Sequence, residues 1–266
     1  MIKQLYRPIQ PAVQPEGDHV IYREFLPVPK LQKFIHCYWQ LKTTKKLKES
    51  FHYRVVADGC MDIFFELANP EKNYVMGFST AYTEFPLEHT FNYIGIRFYP
   101  TGFPQIFNIN ASELTNRFES LNNVSPSVSG FIANHFEEML TTQQIKMVLD
   151  NYFIDRVSSL NMKSDTRLFG AIEIILKAQG ILKVEQDLDI GLSSRQLRRL
   201  FNFYVGGTAK TFSKVVRFQN ILNAKPSTGS LRNNKLFFDA GYYDQAHFIK
   251  EFKTLSGYTP AKAFDR

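Results

Sequence analysis

Cysteine is nearly absent. Cys37 and Cys60 are the only two in 266 residues, too few for a disulfide framework, so a reducing compartment is the expected setting. No apolar run reaches the length of a bilayer-spanning helix. The opening Met1-Ile2-Lys3-Gln4-Leu5-Tyr6 runs into prolines and polar residues, with no apolar leader core. A soluble, cytoplasmic chain with no membrane partner is expected. The spacings of catalysis and metal binding are missing too: no H-x-H, C-x-x-C or H-E-x-x-H, and no nucleophile elbow. An enzyme site would have to be assembled from Asp58, Asp62 and Glu66 with His52, Cys37 and Cys60. Asp58-Gly59 reads instead as a turn, and both cysteines as small buried residues. The chain is expected not to be an enzyme and to hold no metal and no cofactor, with a small-molecule effector left open.

What is abundant is aromatic. Phenylalanine occurs 25 times, aromatics make up 15% and hydrophobic residues 44% of the chain, the composition of a folded protein of this length in two domains. Residues 1–30 are proline-rich and read as an extended lead-in. Between Phe34 and Phe98, short β-branched and aromatic runs (34–41, 54–56, 62–67 and 93–98) alternate with turn signals such as Asp58-Gly59 and Asn69-Pro70. This predicts a small β-sandwich or barrel. From Ala111 to Leu160 the period becomes helical, with Phe131, His135, Phe136 and Met139 on one face and Ile145, Val148, Leu149 and Tyr152 on another. The expected organisation is α+β in two domains: β-rich with trailing helices over 1–157, a polar linker over 158–166, and an all-helical domain over 167–266.

The last hundred residues contain one pattern twice. Gly191-Leu192 leads into a capping Ser193 and a helix whose Leu197, Leu200, Phe201 and Tyr204 share a face. Gly241-Tyr242-Tyr243 leads into Asp244 and a helix with Phe248, Phe252 and Leu255 aligned. Ahead of both, Leu168, Ile172, Ile175 and Leu176 mark a helix closed by Gly180. Between the two units Thr208 caps another, with Phe212, Val215, Val216, Gln219 and Leu222 in line and an end near Pro226. Residues 225–234 read as a loop, and Leu236 to Ala240 as the opening of the second unit. Two such units in tandem are the pattern of a double helix-turn-helix DNA reader. Charge points the same way. Residues 1–166 hold 16 basic and 17 acidic side chains, and residues 167–266 hold 16 and 8, so the whole excess of +7 arises in the helical part, where a polyanion needs it.

The C-terminal hundred residues resemble the AraC-type family of bacterial transcription regulators. The resemblance rests on Gly191-Leu192-Ser193-Ser194-Arg195-Gln196-Leu197-Arg198-Arg199-Leu200-Phe201, on Arg217-Phe218-Gln219, and above all on residues 240–253 with Gly257-Tyr258-Thr259-Pro260. It implies two helix-turn-helix subdomains joined by a rigid helix. Two departures from the family pattern stand out: the stretch Val184–Gly191 is about a residue short, and Ala209 replaces a proline. The N-terminal half, through His36-Cys37-Tyr38-Trp39, residues 55–62, Met76-Gly77 and residues 95–100, is similar to a bacterial domain that precedes such DNA-binding domains. That likeness implies a cupin-like fold with a sensory or dimerising role.

The implied function is sequence-specific transcription regulation, with double-stranded DNA as partner. RNA polymerase, a second copy of the chain and a small-molecule effector are the further partners it allows. On the first recognition helix the candidate contacts are Ser194, Arg195, Gln196, Arg198 and Arg199, where arginine can bridge guanine O6 and N7 or neutralise phosphate. On the second they are Tyr243, Gln245, Ala246, His247 and Lys250, glutamine suiting adenine and alanine the thymine methyl. A solvated basic face is the plain alternative. Trp39, Phe64, Tyr93 and Arg97 are candidates to line an effector pocket, against an ordinary aromatic core. The alternatives are a non-specific or single-box DNA binder with a purely oligomerising N-terminal half, and a cupin-like enzyme fused to a DNA-binding domain.

Overall fold

The computed structural model describes residues 2–10, 19–160, 165–226 and 240–264. Six strands form one antiparallel sheet in the order β1-β2-β7-β4-β5-β8: β1 (Val20–Phe25), β2 (Ile35–Thr43), β7 (Asn92–Phe98), β4 (Met61–Glu66), β5 (Asn69–Met76) and β8 (Phe118–Ser120). A two-stranded ribbon, β3 (Phe51–Val55) with β6 (Thr83–Leu87), covers part of one face. Strand periodicity explains the layers, because alternate side chains point to opposite faces. Met61, Ile63 and Phe65 of β4 and Ile94, Ile96 and Phe98 of β7 enter one core. Asp62 and Phe64 of β4 lie opposite Arg97 and Gly95 of β7 and point the other way, toward the ribbon. The expected small β-sandwich is what the chain forms.

The first face is covered by the trailing helices, α2 (Gly102–Phe107), α3 (Leu121–Val124), α4 (Pro126–His135) and α5 (Thr142–Ser158). In α5, Ile145 and Leu149 are buried and Val148 and Tyr152 pack against the same core, as their spacing predicts. The expected stripe of Phe131, His135, Phe136 and Met139 is corrected. Helix α4 stops at His135, and Phe136 continues in extended backbone, which turns its ring onto Phe65 at 4.7 Å. Met139 is 87% exposed. A new helix begins beyond it because Thr141 and Gln144 form a capping box. Strands β1, β5, β6 and β8 are not among the expected runs, and β8 pairs with β5 inside the stretch expected to be helical. Outward-facing Glu71 and Lys72 dilute the pattern of β5, and Pro86 interrupts that of β6, which a two-stranded ribbon tolerates.

The C-terminal part is helical: α6 (Thr166–Lys177), α7 (Val184–Asp187), α8 (Ser194–Val205), α9 (Ala209–Ala224), α10 (Gln245–Ser256) and α11 (Pro260–Phe264). Asp165 caps α6 and Thr208 caps α9 through side-chain oxygens. Of the expected linker, Ser158 is the last residue of α5 and Thr166 the first of α6, and residues 161–164 lie outside the described residues. The expected opening of the second unit at Leu236, most of the 225–234 loop and Pro11 and Pro15 of the lead-in lie outside them too.

The two parts share one core. A short helix α1 (Ile2–Leu5) leads to Tyr6, and Ile2, Tyr6, Val56, Ala57 and Phe78 pack with Phe201, Phe212 and Val215. Backbone bonds cross the boundary: Ala57 N donates to Leu255 O at 3.1 Å and Tyr82 N to Thr254 O at 3.0 Å. Gln219, aligned with apolar residues in sequence, is fully buried at this junction. Its Oε1 accepts from Ile9 N at 2.8 Å, while Nε2 donates to Ala57 O at 2.9 Å and Ile9 O at 3.2 Å. Replacing it with leucine leaves the buried Ala57 O and the part-buried Ile9 N and O without this partner. Gln219→Leu is expected to lower stability by about 2–4 kcal/mol, read from urea unfolding of the full chain, whereas exposed Asn223→Ala costs under about 1 kcal/mol.

Candidate nucleic-acid interface

Helix α8 begins where the sequence predicts. Gln196 N donates to Ser193 Oγ at 3.3 Å and Ser193 N donates to Gln196 Oε1 at 3.0 Å, a reciprocal capping box. It ends at Gly206, whose φ of 93° is left-handed and favours glycine. A Cβ there would also meet Phe78 of the sandwich at 2.9 Å. Phe201 and Val205 are buried, with Leu197, Leu200 and Tyr204 packed beside them. Ser194, Arg195, Gln196, Arg198 and Arg199 are exposed. The Oε1 of Gln196 is committed to the cap. Arg195, Arg198 and Arg199 form no ion pair among the described residues, so their donors remain available to an anion. The first apolar stripe and the basic face opposite it are both as the spacing implies.

Helix α10 is capped by Asp244, whose Oδ1 accepts from His247 N at 2.7 Å. Phe248, Phe252 and Leu255 are buried. Gln245, Ala246, His247 and Lys250 are exposed, and Tyr243 just before the helix is 85% exposed. Sequence reasoning did not single out Glu251. It is buried on α10 and accepts from Arg217 Nη2 of α9 at 2.6 Å, with Lys214 Nζ at 3.5 Å and His247 Nε2 at 3.8 Å. The Arg217 guanidinium lies 4.0 Å from the Tyr242 ring and donates to Gly241 O at 3.2 Å. Glu251 and Arg217 thereby clamp the second unit to the connecting helix. His247 is drawn toward this clamp, a structural engagement its exposure in sequence did not reveal. The only available signal was an acidic residue on the buried side of an otherwise basic helix.

The interior of the sandwich is a second place where functional groups converge. A cavity of about 240 Å³ lies between the sheets, lined by Trp39, Phe64 and Tyr93, three of the four expected residues. The fourth, Arg97, is fully buried behind Asp62. Its Nε and Nη2 donate to the two Asp62 carboxylate oxygens at 3.2 and 3.0 Å. Asp58 lies 3.4 Å and Glu24 3.5 Å from the same guanidinium. Burial pushes the Asp62 carboxyl up, to about 6, against the downward pull of Arg97. Cys37 and Cys60 are buried, and burial raises both thiols above their ordinary range. Ligand atoms of Glu24, His36 and Cys37 lie within 4.8 Å of one another, but His36 Nδ1 is already at 3.2 Å from the Tyr99 hydroxyl.

Two capped helices joined by a third, each with one packed and one exposed face, define a DNA-binding domain of the helix-turn-helix class. Residues 189–266 match the family model described as a helix-turn-helix domain. These residues fall within the C-terminal hundred that resemble the AraC-type domain. Residues 23–120 match a model described as a domain of unknown function (DUF6597). No curated protein matches the chain. Among solved structures it is similar to an apo variant of ToxT from Vibrio cholerae strain SCE256, at 12% identity over 85% of this chain and 97% of that one, with a TM-score of 0.44. It is also similar to unsaturated fatty acid bound wild-type ToxT from the same strain, at 12% identity, 95% and 97% coverage and a TM-score of 0.40. No helix among the described residues is long and apolar enough to cross a membrane.

The clamp gives a direct check. Glu251→Ala leaves the part-buried Arg217 guanidinium without its carboxylate and is expected to cost about 2–4 kcal/mol. Exposed Arg198→Ala is expected to change stability by less than about 0.5 kcal/mol. Thermal and urea unfolding of the full-length variants measure both.

Proposed function

We propose that the chain is a sequence-specific transcription regulator in which α8 and α10 enter successive major grooves of one duplex. The observation that carries this reading is the exposure of three unpaired arginines on α8, together with Tyr243, Gln245, Ala246, His247 and Lys250 around α10, on helices whose opposite faces are buried. Arg195, Arg198 and Arg199 supply guanine or phosphate contacts. Gln245 pairs with adenine, Ala246 meets a thymine methyl, Lys250 reaches phosphate, and Ser194, Gln196, Tyr243 and His247 add polar contacts. The DNA-binding domain spans 167–266, the linker 158–166, and residues 1–157 sense an effector in the sandwich cavity. Helices within 111–157 are the candidate surface for a second copy, and the assembled regulator acts on RNA polymerase in the cytoplasm.

Selection of the full chain against a randomised duplex library tests the reading. One asymmetric site with two boxes about 10 bp apart is expected. Arg199→Ala and Gln245→Ala should each weaken binding roughly 5- to 150-fold and relax preference in a different box. Affinity should fall steeply between low and moderate salt. A single enriched box would assign base reading to one helix only. Binding without enrichment would overturn sequence-specific regulation.

A further inference from the structure

The sandwich cavity has a composition that selects among ligands. Its walls are aromatic: Trp39, Phe64, Tyr93 and Phe118 present ring faces or edges to it, with Phe64 and Phe118 stacked at 5.5 Å and Phe64 and Tyr93 edge to face at 6.4 Å. Gly95 lies between Trp39 and Phe64 in the register of the three strands. A Cβ at that position would fall 2.0 Å from the indole, so the absence of a side chain lets the indole lie close over the strand. The floor carries one carboxylate, Asp62, whose Oδ2 also accepts from the indole Nε1 at 3.1 Å.

Charge behind that floor is unbalanced. One guanidinium, Arg97, faces two largely buried carboxylates, Asp62 and Asp58, and the solvent-screened Glu24 at the surface. No other cation forms an ion pair with these three among the described residues. Burial in a low-dielectric wall strengthens the field of an uncompensated charge. The Tyr53 hydroxyl, 94% buried on the ribbon side of the cavity, has no hydrogen-bond partner of normal geometry, although Arg97 lies close enough to influence it. An orphaned hydroxyl in a cavity wall is a group a ligand can satisfy.

We propose that this cavity binds a small hydrophobic organic cation, held by the aromatic walls through cation–π attraction and by the negative excess around Asp62. The inference rests on the effector-sensing role proposed above and names the chemical class of the effector. An aliphatic or neutral aromatic guest gains only apolar burial there, and an anion meets the carboxylates. Occupancy has a route to the DNA-binding part. Asp62 holds Arg97, and Arg97 holds Asp58. Asp58 O accepts from Tyr6 Oη at 2.8 Å, and its carboxylate accepts from Gln10 Nε2 at 2.7 Å. The neighbouring Ala57 is the residue bonded to both Gln219 of α9 and Leu255 of α10.

Trp39 is the sole tryptophan of the chain among 13 tyrosines, so fluorescence excited at the red edge, where tyrosine does not absorb, reports on this cavity. Full-length protein is titrated at pH 8 with three probes of one shape: benzyltrimethylammonium, its uncharged carbon isostere neopentylbenzene, and the anion benzylsulfonate. Saturable quenching by the cation is expected, with affinity at least about tenfold above the other two. Asp62→Asn and Tyr93→Leu should each weaken the cation about tenfold. Phe118→Leu, at the exposed edge of the cavity, gives a second wall variant that leaves the buried cluster untouched and is expected to weaken it severalfold. Equal binding of the neutral isostere, tighter binding of the sulfonate, or no saturable response to any probe would overturn the proposal. Duplex selection with the same preparation separates the two readings, since loss of cation binding with intact site selection removes this inference alone.

Discussion

The burial of Arg97 is the constraint on which the rest of this structure depends. A guanidinium with no solvent exposure in the middle of a sheet is tolerated only when carboxylates meet it in good geometry. Asp62 does so from the adjacent strand at the directly opposed position. Asp58 does so from the turn at the end of the sheet. The arginine therefore fixes the register of β4 against β7 and the position of the Val56–Cys60 turn together. That turn is the part of the sandwich that touches the connecting helix of the DNA-binding domain.

The junction built on this turn is polar as well as apolar. Gln10 bonds both backbone groups of Val56, and Gln219 bonds Ile9 and Ala57. The C-terminal ends of α8 and α10 both contact the sandwich as well. Thr115 Oγ1 bonds Gly206 O, and Tyr82 N donates to Thr254 O. Arg54 lies 3.8 Å from the Tyr258 ring. One end of the β-domain thus touches both helix-turn-helix units and the helix between them. Their relative orientation is held by the β-domain in addition to the Glu251–Arg217 clamp. Because the contacts fall on helix ends and on α9, the basic face of α8 stays open to solvent.

The two strongest readings of the sequence concerned local structure. Ser193 with Gln196, Asp244 with its helix, and Thr208 are capping signals set by hydrogen bonds three residues apart, so no distant residue is needed to form them. The periodic apolar stripes of α5, α6, α8 and α10 follow the same logic. Errors came where local pattern and tertiary demand diverged. Residues 131–139 keep an apolar helical spacing, yet the chain leaves the helix after His135 so that Phe136 can reach Phe65. Strand β6 contains a proline and pairs all the same, because its only partner is β3.

The sequence alone determined that a basic helical part with two capped helices in a repeated pattern follows a β-rich part, since caps, periodicity and charge are properties of neighbouring residues. It also placed Asp58-Gly59 in a turn and both cysteines in the interior. Only the tertiary structure decided that Asp62, Asp58 and Glu24 surround one arginine, that Glu251 is a buried clamp, and that Gln219 serves the junction with the sandwich. Each of these groups is partnered across tens to hundreds of residues, and no local spacing records such a partner. Even where spacing puts such a group on a buried face, as with Gln219, the partner that satisfies it is supplied only by the fold.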